Sequence, residues 1–104
     1  MTYLKVCINK IWDTDWYPGL AECSLLDAFG VEHRFQDEIP IFYGRELIPD
    51  MLPCDGVIRC MRLKENAGVI QIDTRLPDCI ESMTGEHIFC VMPNQLLDDK
   101  EDFS

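Results

Sequence analysis

Three four-residue turns of one chemical type constrain this chain more than any other feature. Asp27-Ala28-Phe29-Gly30, Glu65-Asn66-Ala67-Gly68 and Ser82-Met83-Thr84-Gly85 each start with a polar residue and end with glycine. That pattern suits a type I turn whose last residue takes the left-handed conformation, as in a hairpin with a glycine bulge. On both sides of each turn, apolar and polar residues alternate with a period of two, and only the C-terminus carries a weak helical period. The turns therefore predict three hairpins: Leu20 to Leu26 with Val31 to Gln36, Val57 to Lys64 with Val69 to Thr74, and Cys79 to Ser82 with Glu86 to Met92. A first strand from Tyr3 to Trp12 adds an apolar face of Leu4, Val6 and Ile8. The expected fold class is all-β, a small antiparallel β-barrel or sandwich of about six to seven strands.

Two strands depart from simple alternation. In Val57 to Lys64, Ile58 and Cys60 imply one inward face while Met61 and Leu63 imply the other, which predicts a bulge near Arg59 to Arg62. The last strand is apolar on both faces, His87, Phe89 and Val91 against Ile88, Cys90 and Met92, so it is expected to be central or covered on both sides. Between the first and second hairpins, the connection from Phe42 to Gly56 carries Gly44, Pro49, Pro53 and Gly56. It has room for no more than a short helical turn.

Length and charge set the domain organisation. A chain of 104 residues, 47% of them hydrophobic, supplies one core, expected over residues 1–97 as a single β-domain. Residues 98–104 read as an acidic, disordered tail. Nineteen acidic against nine basic residues give a net charge of −10. Such a surface repels phosphate backbones and anionic lipids, so neither nucleic acid nor membrane is an expected partner. No apolar run approaches the ~20 residues of a spanning helix, and Lys5, Asn9 and Lys10 break up the first hydrophobic stretch, which reads as a cytoplasmic protein without a signal peptide.

The residues able to carry chemistry are few. Cysteines at 7, 23, 54, 60, 79 and 90 include no pair two to four residues apart, so the spacing predicts neither a structural zinc site nor a disulfide framework, and no metal or cofactor is expected. Mid-strand cysteines act as small hydrophobes. Cys54 and Cys79, in loops, are the candidates for exposed, reactive thiols. His33, between Glu32 and Arg34, reads first as a partly buried strand histidine bonded to a neighbour, and second as an acid-base group; His87 reads in the same way. Trp12, Trp16 and Tyr17 in the first loop either plug one end of the fold or form a recognition patch, and Tyr43 with Arg45 opens the long connection. Nucleophile elbows, phosphate loops and redox dithiols have no match in the chain.

The segments Glu22 to Phe35, Ile72 to Pro77, Ile80 to Ser82 and Gly85 to Val91 resemble a group of small bacterial cytoplasmic proteins of about this length. That likeness covers most of the chain and implies a single β-domain. It brings no activity and no catalytic residue. The sequence thus favours a non-enzymatic interaction module whose acidic surface meets a protein partner, a basic one in the immunity or inhibitor form, with Trp12, Trp16, Tyr17, Tyr43 and Arg45 as anchors. The alternative is a small-molecule-binding barrel or small enzyme using the barrel mouth, with His33, Tyr43 and Arg45 as contacts. Oligomeric state leaves no trace in the sequence.

Overall fold

A computed structural model of the chain describes residues 1–12, 19–44 and 47–98. Leu4, Val6 and Ile8 all turn inward from strand β1 (Thr2–Trp12) and are essentially buried. Strict alternation would then send Ile11 outward. A bulge at Asn9, between the pairs Ile8↔Cys23 and Lys10↔Glu22, shifts the phase and packs Ile11 against the core. The Asn9 side chain secures the bulge by donating to Ser24 Oγ at 2.9 Å.

The strands form one antiparallel sheet that curls into a half-barrel. β1 lies in its middle. One side of β1 pairs with β4 (Cys54–Asn66), from Thr2↔Cys60 to Ile8↔Cys54. The other side pairs first with β7 (Leu96–Asp98) and then with β2 (Leu20–Leu26). β3 (Glu32–Glu38) follows β2 at one end of the sheet. At the other end, β4 runs past β1 and pairs with β5 (Val69–Asp73), which pairs with β6 (Ile88–Val91). A four-residue helix, α1 (Ile39–Phe42), and a 3-10 turn at Pro49–Met51 lie between β3 and β4. Among the described residues no helix is long and apolar enough to cross a membrane.

Close packing on the inner face explains one glycine. A Cβ at Gly56 would sit 2.7 Å from Ile8 Cδ1 and 3.0 Å from the Phe42 carbonyl oxygen, so β4 approaches the core and α1 as closely as it does only without a side chain there. Phe35, Phe42, Ile58, Ile72, Phe89 and Val91 complete the same core.

Four expectations need correction. The turn at 65–68 is a two-residue hairpin: Asn66 pairs with Val69, and Ala67 and Gly68 have φ of 54° and 81°, as a primed turn requires. The expected strand Cys79 to Ser82 does not form. Thr74 captures that segment instead, its buried hydroxyl donating to the Ile80 carbonyl at 2.7 Å while Ile80 N–H returns to Thr74 O, and the strand beyond the third turn pairs with β5. β6 is not central. It ends the strand order and leaves Ile88 and Met92 exposed. Finally, the chain does not leave the sheet at Pro93, because Pro93–Gln95 forms one 3-10 turn and β7 then returns to β1, carrying Asp98 with it. The bulge expected in β4 falls between Arg62 and Lys64, at the far edge of the expected region. Residues 99–104 lie outside the described residues.

Candidate functional site

The sheet's two ends meet where the first and third turns lie side by side. Both turns are built in the same way. Asp27 Oδ1 accepts the N–H groups of Phe29 and Val31, two and four residues on, at 2.9 and 3.0 Å. Ser82 Oγ accepts those of Thr84 and Glu86, again two and four residues on, at 3.3 and 3.0 Å. A short polar side chain thus holds each turn shut, and Gly30 and Gly85 supply the left-handed residue with φ of 81° and 86°.

Main-chain bonds join these turns to the opposite ends of the sheet. Ala28 N–H donates to the Cys90 carbonyl and Met83 N–H to the Arg34 carbonyl, both at 2.8 Å. Beneath them the Phe89 ring stands edge-on to His33, with centroids 4.8 Å apart, and to Phe35 at 5.5 Å. The His33 side chain reaches both turns. Its Nε2 lies 2.8 Å from Asp27 Oδ2 and its Nδ1 lies 3.5 Å from Glu86 Oε1, with only a tenth of the imidazole exposed. Glu86 Oε1 also accepts the Thr84 hydroxyl at 2.9 Å.

Electrostatics follow from this packing. Burial acts to raise the Asp27 pKa, but hydrogen bonds from His33, Val31 and Phe29 and the imidazole charge more than offset it and hold the carboxyl below its ordinary value. Beside the site is a depression of about 440 Å³ lined by Val31, Glu32, His33, Arg34, Met83, Thr84 and Glu86. Val31 and Met83 of its lining, and Leu26 and Phe29 in and beside the first turn, are between 51% and 71% exposed, so the two adjoining turns carry bare apolar surface.

The residues singled out from the sequence separate. Trp16, Tyr17 and Arg45 lie outside the described residues, as does the side chain of Trp12. Tyr43 packs against the core behind α1 and does not line the depression that His33 lines. Cys54 is half-buried, and burial, Asp55 and Cys7 all raise its thiol pKa, which works against nucleophilic reactivity. Cys79 is exposed, at φ 59°. All six cysteines are free; burial pushes the Cys60 thiol up to about 12 and raises Cys23 further. Among the described residues no three His, Cys, Asp or Glu side chains gather to hold a metal ion.

Asp27 and Glu86 were not singled out. Asp27 had a signal, since a hairpin closed at Asp27–Gly30 puts His33 opposite Leu25 and Asp27 two residues further along the same face. Glu86 had none, because it comes to His33 only through the curl of the whole sheet. Comparison with protein-family models, with curated proteins and with solved structures found no match.

Proposed function

We propose that the chain is a non-enzymatic interaction module that presents the paired first and third turns to a basic protein partner. One observation carries this reading: Leu26, Phe29, Val31 and Met83 stand exposed around two adjoining turns, with the half-exposed carboxylates of Glu32 and Glu86 at their border. Apolar anchors inside a charged rim are the usual anatomy of a protein contact, and a net charge of −10 steers a positively charged partner toward it. An inhibitor or immunity-type protein for a basic toxin or nuclease is the concrete form this takes. Six free thiols suit a reducing compartment such as the cytoplasm.

Small-molecule binding at the depression has less support, because its polar groups are already engaged. His33 holds Asp27 and Glu86, Arg34 holds Glu22 and Glu32, and Thr84 holds Glu86. A photo-reactive phenylalanine analogue at position 29, in the protein expressed in its native cell, tests the interaction reading. It should give a discrete adduct with a basic protein, while the same analogue at exposed Met61 on the far hairpin gives none. Adducts of equal yield at both positions, or none at 29, would overturn it.

A further inference from the structure

We infer that His33 is a proton-controlled clasp that locks the two turns of this face together under mildly acidic conditions and releases them as the pH rises. This inference rests on the reading of the paired turns as one contact face and adds its regulation. Asp27 Oδ2 faces Nε2 at 2.8 Å and Glu86 Oε1 faces Nδ1 at 3.5 Å. Ionised carboxylates only accept, whereas a neutral imidazole has one N–H and one lone pair. Either neutral tautomer therefore sets a lone pair against a carboxylate oxygen. Only the imidazolium, with an N–H on each nitrogen, satisfies both partners at once.

The surroundings leave that balance to His33. Phe89 from β6 packs on the ring and Leu25 of β2 pairs with it across the hairpin, and neither carries a charge. The neighbouring charges on β3 are engaged with one another: Arg34 lies 3.1 Å from Glu22 of β2 and 3.5 Å from Glu32. Among the described residues, Asp27 from the first turn and Glu86 from the third are the carboxylates that face the ring.

The two contacts differ in strength, and that difference decides which turn moves. Asp27 is a tenth exposed, belongs to the same hairpin as His33 and accepts two backbone N–H groups besides the imidazole. Glu86 is 53% exposed and reaches across from another part of the chain. On deprotonation Nε2 keeps its hydrogen for Asp27, and Nδ1 then turns a lone pair on Glu86. The third turn is the one released, and Met83 moves with it. Because Glu86 is partly solvated, screening keeps the effect to a few-fold change in the opening equilibrium. Histidine is the side chain suited to make this change between mildly acidic and neutral pH.

Amide hydrogen exchange on the full chain without any partner reads the clasp. The probe is Met83 N–H, which bonds to Arg34 O, with the amides of β1 that pair with β4, away from both histidines, as an internal reference for global opening. After correction for intrinsic rates, Met83 protection relative to the β1 amides should be about threefold higher at pH 5.5 than at pH 8. Glu86→Gln removes the carboxylate that the lone pair opposes and should flatten this ratio; His33→Gln should do the same, and His87→Gln should leave it as in the native chain. A native ratio that does not change with pH, or a change that survives Glu86→Gln, would overturn the clasp. Because Glu86 is half-exposed, its variant keeps the test valid even if His33→Gln fails to fold. No partner enters this measurement, so a flat profile removes the clasp alone, while a missing adduct at position 29 removes the contact face alone.

Discussion

Two histidines with an aspartate each are set up to opposite ends. His33 has carboxylates on both nitrogens, and its ring joins two turns from distant parts of the sequence. His87 has Asp73 Oδ1 at 3.0 Å from Nδ1, but Arg75 Nη1 at 3.3 Å from Nε2. A guanidinium only donates, so Nε2 must accept and the proton sits on Nδ1. The His87 arrangement is complete with a neutral ring, and it ties together residues at the adjoining ends of β5 and β6. One site needs a proton to be whole and the other would be disturbed by it. What separates them is the charge of the second neighbour, Glu86 in one case and Arg75 in the other.

The largest break in this comparison is expected from Phe89→Ala. The ring carries His33 and Phe35 on its edges and is 3% exposed, so truncation should cost about 3–5 kcal/mol in denaturant unfolding. Protection of Met83 N–H should fall further than that of Thr74 N–H, since His87 is held by Asp73 and Arg75 and does not rest on the ring.

A smaller effect separates the two aspartates. Asp27 accepts three hydrogen bonds and Asp73 two, so at pH 7 Asp27→Asn should lose about 1–3 kcal/mol and Asp73→Asn less. For both groups burial opposes ionisation, and hydrogen bonds to the carboxylate outweigh it and lower the pKa. Their contribution is therefore present above the ordinary aspartate range and disappears as pH falls through the folded-state value. Native and variant unfolding curves should begin to draw together below about pH 4 and meet only below the folded-state value. Thr74→Val belongs to the His87 side only. It deletes a buried donor to the Ile80 carbonyl and should cost about 1–2 kcal/mol without altering how Met83 protection responds to pH.

Much of the fold was legible because it is written in local chemistry. Alternation located β1, β2, β3 and β5, and the two polar-to-glycine turns at 27–30 and 82–85 formed with the expected closing bonds. Failures came where a tertiary contact overrode the local pattern. Residues 79–82 lost their strand to the Thr74 hydroxyl, and β6 looked central from its apolar faces although it ends the strand order with Ile88 and Met92 exposed. The candidate site was half legible. His33 was singled out as a strand histidine with a neighbouring partner, and the hairpin register alone aligns it with Asp27. Glu86 lies 53 positions further along the chain, and only sheet closure brings it to the ring. The aromatic loop drew attention by composition, which carries no information on where a loop ends up.

The clasp is tested most directly by a double-mutant cycle between His33 and Glu86, using His33→Gln, Glu86→Gln and the double variant, with unfolding free energies measured at pH 5.5 and pH 8. At the lower pH the coupling should be favourable and on the order of 0.5–1 kcal/mol, as for a partly solvated ion pair. At pH 8 it should vanish or change sign, because the lone pair on Nδ1 then faces the carboxylate. An equal coupling at both values would mean that the His33 proton does not hold the two turns together.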